Sequence, residues 1–182
     1  MILDNLLTFD NNLLFVAGTT GAIGTQPSTN VIDLGITSGI PASAQGGGAR
    51  DIGIGDDPAM KLLVQVITTI TSGGAPTLQI ALQGAVDNGA GAPAAFSTWW
   101  TSPAYALATL NAGSRLYDMD MPRPPDGIAI PRFLRMAYII ATATLTGGNI
   151  SAFIVLDRDD QIYQSTDNSI MGGYPPGIAI AN

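Results

Sequence analysis

Fourteen aspartates are the only acids in this chain, and any carboxylate chemistry would have to be assembled from them. Histidine, cysteine and glutamate are absent; the bases are Lys61 and six arginines. Imidazole, thiolate and a raised-pKa Glu are the common tools of general acid–base and nucleophilic catalysis. Imidazole and thiolate are also the common ligands of zinc, iron and copper. Without these groups most enzyme mechanisms lose their key player.

Three groups of aspartates set that possibility out. Asp51, Asp56 and Asp57 lie in a Gly-punctuated stretch, and Asp157, Asp159 and Asp160 follow an apolar run. Clustered carboxylates beside loop carbonyls suit calcium, but neither run has the spaced acids, central Gly and closing Glu of an EF-hand loop. Solvated turns, with Asp bonding its own backbone, fit both equally well. Asp118 and Asp120 stand two apart in an alternating segment and therefore share a face. A carboxylate pair can hydrolyse a glycoside, yet a structural pair eased by Arg115 or Arg123 is the simpler expectation. Gly53-Ile54-Gly55 lacks the third Gly, the preceding strand and the following helix of a dinucleotide fingerprint. No enzymatic activity, metal or cofactor is expected.

Aromatic residues offer a different chemistry. Trp99 and Trp100 are adjacent, so in a strand they point to opposite faces. One is expected in the core; the other, with Tyr105, could stack on a sugar or anchor an interface. A carbohydrate-binding β-sandwich module is the alternative reading that these residues keep open. Arg132 and Arg135 flank an apolar run, and Arg135 is the expected partner in a structural ion pair.

The elements that must position these residues are strands. Hydrophobic residues make up 46% of the chain and charged residues 12%, with 22 Gly and 12 Pro. Such a chain can bury a core within one domain. Abundant Thr and Ile, frequent turn formers and almost no Lys or Glu favour an all-β fold. Alternation predicts strands over 31–34, 60–70, 77–86, 96–101, 105–110, 114–121, 133–145 and 149–156, about eight in all. That count suits an antiparallel sandwich or barrel. The Gly-Gly turns at 73–74 and 147–148 predict hairpins joining the second strand to the third and the seventh to the eighth. The segments leading into these turns echo each other through shared turn chemistry rather than duplication.

Residues 1 to about 28 mix apolar clusters with turn formers and are expected to form an extended arm, lying on its own domain or reaching a neighbour. Residues 158–182 are expected to form a second arm. A net charge of −7 lacks the basic footprint that nucleic acid or an anionic membrane surface would need. The first residues lack a basic start and an apolar run, so no signal peptide is expected. No apolar stretch approaches the length of a membrane span. So low a charge leaves a weakly solvated surface, which a partner could cover.

In order and spacing, several stretches resemble a jelly-roll family of capsid cement (decoration) proteins from short-tailed bacteriophages. They are Met1-Ile2-Leu3-Asp4, Val31-Ile32-Asp33-Leu34-Gly35, Arg50-Asp51-Ile52-Gly53-Ile54-Gly55, and Pro131-Arg132-Phe133-Leu134-Arg135-Met136-Ala137-Tyr138, continuing through Gly147-Gly148 to Ala152-Phe153-Ile154-Val155-Leu156-Asp157. The resemblance spans about residues 1–157, treated as one jelly-roll domain carrying the first arm. It implies a jelly-roll sandwich made in the host cytoplasm and bound to the outer surface of an icosahedral virion. There it would bridge major capsid protein subunits, most simply as a homodimer. The anchors expected to bury area on neighbours are Ile2, Leu3, Leu6, Leu7 and Phe9 in the first arm, and Tyr174, Ile178 and Ile180 in the last.

Overall fold

The computed structural model describes residues 2–35, 60–122 and 131–156, with residues 2–6 and 156 described through their backbone alone. Ten strands occupy these residues: β1 (Ile2–Leu14), β2 (Gly24–Pro27), β3 (Ile32–Asp33), β4 (Lys61–Thr71), β5 (Thr77–Ala85), β6 (Ser97–Thr101), β7 (Tyr105–Ala106), β8 (Arg115–Asp120), β9 (Phe133–Ala141) and β10 (Gly147–Leu156). Among the described residues a single 3-10 turn at Leu107–Thr109 is the sole helical element, and no helix there is long and apolar enough to cross a membrane.

Two antiparallel sheets face each other. One runs β1-β10-β4-β8 and the other β2-β9-β5-β6, with β3 also on β9 and β7 also on β5. Taking β2 with β3 and β6 with β7 as interrupted single strands leaves eight, ordered 1-8-3-6 and 2-7-4-5. Every connection except that from β5 to β6 therefore crosses to the opposite sheet, and most strands pair with one far away in sequence. This is the jelly roll, two Greek keys wound together.

The core lies between the inner faces. Leu62, Val64 and Val66 of β4, Ile150, Ala152 and Ile154 of β10, Leu78, Ile80 and Leu82 of β5, and Met136, Tyr138 and Ile140 of β9 form one buried cluster. Their period-2 spacing is why these segments are legible as strands.

The predicted hairpins are not hairpins. β4 pairs with β10, and β5 with β9; the chain crosses between sheets through the Gly73-Gly74 turn and through Thr142–Thr146, so the second corner precedes Gly147-Gly148, which open β10. The two corners lie side by side. Ser72 Oγ donates to the Thr144 carbonyl at 2.6 Å, Thr142 Oγ1 to the Ala75 carbonyl at 2.7 Å, and the Thr146 amide to the Thr71 carbonyl at 2.8 Å. The echo between the two segments thus reflects two adjacent corners with the same task. A local turn signal cannot distinguish a chain folding back in its own sheet from one crossing over.

The first segment is also not a free arm. β1 runs along β10 from Ile2 opposite Leu156 to Leu14 opposite Asn149, with irregularities in register along the way. β2 pairs residue for residue with β9. Of the two placements open to residues 1–28, they take the one on their own domain. Phe9 is fully buried in the core, which corrects its assignment as an interface anchor. A bulge at this point explains how Phe9 and Asp10, consecutive residues, are both buried: Thr8 faces Phe153 and Asp10 faces Ala152, leaving Phe9 as the extra residue.

Candidate functional site

Two bulges shape the side of the sandwich where β6 and β7 of one sheet approach β8 of the other. On β6, Trp100 faces Leu82 and Thr98 faces Gln83, so Trp99 is the extra residue. The alternation is broken there, and the two tryptophans do not separate to opposite faces. Trp99 joins the core cluster and Trp100 packs against it. Trp99 lies directly over Gly84, where a β-carbon would meet its ring at 2.4 Å. This packing removes Trp99 from any exposed platform.

On β8, Tyr117 faces Val64 and Arg115 faces Gln65, leaving Leu116 as the extra residue. Three apart on a regular strand, Arg115 and Asp118 would lie on opposite faces. The bulge returns them to one face, and they pair at 3.0 Å. Asp118 is the more enclosed partner, with 8% of its side chain exposed against 34% for Arg115. Asp118 therefore holds the guanidinium in place rather than presenting itself for chemistry. Asp120 follows two residues later on the exposed rim.

Between the bulges lies a groove of about 380 Å³ whose walls include Trp100, Tyr105, Tyr117, Arg115 and Asp118. The Trp100 and Tyr117 rings have centroids 4.4 Å apart and planes inclined at 57°. The Tyr105 hydroxyl donates to the Leu116 carbonyl at 2.6 Å, tying β7 of one sheet to the bulge on the other. The Tyr117 hydroxyl donates to the Asp120 carbonyl at 3.1 Å. Burial, and then the nearby Asp120 charge, raise the Tyr117 phenol above its usual range. Of the aromatic residues singled out in the sequence, Trp100 and Tyr105 reach this groove. Tyr117 and Arg115 belong to it as well, and only the Leu116 bulge, invisible in the sequence, brings Arg115 there.

Arg132, not Arg135, carries the ion pairs. Its Nε and Nη2 each lie 2.9 Å from the two oxygens of Asp33, and its Nη1 bonds Asp87. The guanidinium also stands 4.8 Å over the Phe133 ring. The two carboxylates hold the Arg132 pKa above its ordinary value. Arg135 instead donates to the neutral Gln83 Oε1 at 2.8 Å and lies 3.9 Å over the Phe96 ring. Burial lowers its pKa. Arg132 precedes β9 and can reach both Asp33 at the end of β3 and Asp87 in the loop after β5, whereas Arg135 lies within the sheet opposite Gln83.

Of the expected anchors, Ile2, Leu3 and Leu6 belong to β1; Ile2 and Leu3 face Leu156 and Val155. Leu7 is half-buried and packs against the core. Tyr174, Ile178 and Ile180 lie outside the described residues, as do the Asp51/56/57 and Asp157/159/160 groups. Among the described residues no cluster of three acids could hold a metal ion. Exposed apolar surface appears elsewhere: Leu14, Val16 and Ile23 are 51%, 44% and 57% exposed, on and beside the loop joining β1 to β2.

The sheet order and the packed interior define a jelly-roll protein of the all-β class. The chain belongs to the Bbp16 family, a phage-type family whose profile matches residues 17–154. No curated protein matches the sequence.

Proposed function

We propose that this chain is a structural protein of a phage particle, a decoration protein that binds the outer surface of the capsid and bridges major capsid protein subunits. The observation carrying this reading is membership of a phage-type family over residues 17–154. The cross-paired jelly roll gives the reading a mechanical basis. Most neighbouring strands come from distant parts of the chain, so a load applied at one edge passes along segments that belong to both sheets.

Nothing in this role requires a bond to be made or broken, and a residue set lacking His, Cys and Glu suits it. Binding that occurs only on the assembled shell favours that shell by mass action. Many weak sites acting together supply avidity. Contact residues come from exposed apolar positions rather than from Phe9: Leu14, Val16 and Ile23 form the suitable set near the end of β1. Self-association as a homodimer belongs to the same proposal, and neither nucleic acid nor membrane is a partner in it.

The test is the particle itself. Mass spectrometry of purified virions should find this chain in a fixed ratio to the major capsid protein. A particle map should show jelly-roll density on the outer surface, straddling capsid subunits. Virions lacking the chain, or density confined to the interior or tail, would end the proposal.

A further inference from the structure

We propose that Asn88-Gly89 is a site of spontaneous deamidation, and that the Asp87 carboxylate holds the reaction back in the folded chain. Asn88 is the one asparagine of the sequence that a glycine follows. Glycine has no β-carbon to shield its amide nitrogen from attack on a neighbouring group. Both residues are exposed to water in the loop between β5 and β6.

The reaction consumes only water. The Gly89 nitrogen gives its proton to a base in the solvent and attacks Asn88 Cγ. A bond forms between these atoms, the Cγ–Nδ2 bond breaks, and the side-chain nitrogen takes a proton from water and leaves as ammonia. Water then opens the cyclic imide. Opening at Cγ gives aspartate. Opening at the main-chain carbonyl gives isoaspartate, whose backbone runs through Cβ and Cγ. In either case amide and water become carboxyl and ammonia, with no change of oxidation state, and the loop gains a negative charge.

The folded loop restrains the reacting atoms. The Gly89 amide donates to Asp87 Oδ1 at 2.8 Å and the Gly91 amide to the same oxygen at 3.0 Å. The Ala90 amide donates to Asn88 Oδ1 at 2.8 Å. The second Asp87 oxygen is held by Arg132, so the carboxylate is fixed from both ends. Removing the Gly89 proton would leave an anionic nitrogen against a carboxylate, which like-charge repulsion disfavours. Attack must also draw Cγ and the Gly89 nitrogen to bonding distance while both are tethered. Asp87 does not assist as a base, because its pKa is lowered, first of all by this same Gly89 amide. Conversion matters to the fold because Asp87 reaches Asp33 at the end of β3 through Arg132. A lengthened backbone at residue 88 displaces the Gly89 and Gly91 amides from the carboxylate at that junction.

The test is ageing of the intact chain in warm, mildly alkaline buffer, with and without denaturing urea, followed by peptide mapping and isoaspartyl methyltransferase labelling. In urea, isoaspartate should accumulate at Asn88 ahead of every other asparagine. In the folded chain it should form about tenfold more slowly or less, the factor expected from a hydrogen bond to a charged acceptor. Folded Asp87→Ala should lose most of that protection. The comparison with urea uses the unaltered chain, so the test survives if the variant folds poorly. In the converted fraction of the native chain, the Asp87 carboxyl-carbon signal should titrate closer to 3.8 than in the unconverted fraction. Another asparagine leading in urea, equal rates at Asn88 with and without urea, an unchanged rate in folded Asp87→Ala, or an Asp87 pKa unmoved by conversion would each overturn the proposal.

Discussion

The Tyr138 hydroxyl donates to Asp10 Oδ2 at 2.6 Å, joining a carboxylate on one sheet to a phenol on the other inside the sandwich. The Thr29 amide donates to the second oxygen at 2.7 Å. Both side chains are fully buried. Desolvation raises the Asp10 pKa above 3.8, against the lowering effect of Tyr138 and Thr29. Burial, reinforced by Asp10, also pushes the Tyr138 phenol well up.

A pH-dependent stability follows from Asp10. Below 3.8 the carboxyl is protonated in both the folded and unfolded chain. Between 3.8 and the raised folded value, the folded chain holds a proton that the unfolded chain has released. Its contribution to stability therefore falls as pH rises through that window and levels off above it. Urea unfolding of the native chain and of Asp10→Asn across this range should show the difference between their stabilities changing in that direction. Tyr138→Phe, which strands a buried acceptor, should cost about 1–3 kcal/mol in the same assay.

Arg132 should set the acidity of Asp87 in part. The Asp87 pKa is lowered first by the Gly89 amide, with the Gly91 amide and Arg132 acting in the same direction. Its stabilising contribution is present above the unfolded pKa and is lost as pH falls through the depressed folded value. In Arg132→Gln, carboxyl-carbon NMR titration should place the Asp87 pKa above its native value but still below 3.8, because the two glycine amides remain. A return to 3.8 would show that Arg132 organises the whole loop.

Two glycines should respond unlike a third. A β-carbon on Gly84 would sit 2.4 Å from the Trp99 ring, and one on Gly148 would sit 2.5 Å from Ile70 Cα on a backbone with φ of +97°. Gly73 has open space. Gly84→Ala should destabilise by about 1–3 kcal/mol and shift the tryptophan emission. Gly148→Ala should cost at least as much, since its clash is with backbone. Gly73→Ala should be close to neutral. Thermal melts of the three variants provide the ranking.

The strands were legible in the sequence because their inner faces carry apolar residues at every second position, as in Leu62-Val64-Val66 and Leu78-Ile80-Leu82. Their pairing was not. Ser72–Pro76 has the composition of a hairpin turn, and Gly147-Gly148 gives the same signal although the second corner is Thr142–Thr146 and the glycines open β10; nothing within either segment specifies a crossing between sheets. That decision belongs to the core, which needs β4 against β10 and β5 against β9. The candidate groove was half legible. Trp100 and Tyr105 stood out by type, but the bulges at Trp99 and Leu116 change which side chains share a face, and a strictly alternating strand cannot foresee them. Asp10 escaped notice because it sits beside apolar residues without a local partner; its partner, Tyr138, is 128 residues away.

The sharpest test of the fold concerns β1. An arm that only touches neighbours could be removed without harm to the domain. A strand that lines β10 and inserts Phe9 between the sheets could not. Phe9→Ala leaves a cavity where a fully buried ring had been, and such substitutions cost about 3–5 kcal/mol. Deleting residues 1–9 should cost more, because it also uncovers the edge of β10 from Phe153 to Leu156. Both variants should therefore show early urea transitions or fail to fold, before any capsid is present. A shortened chain that melts like the native one would return this segment to the status of an arm and take Phe9 out of the core. If instead it unfolds, loss of capsid binding in that deletion says nothing about a contact surface. Leu14→Asp and Ile23→Asp then become the informative variants, since both side chains are more than half exposed and their substitution should leave the melting transition nearly unchanged.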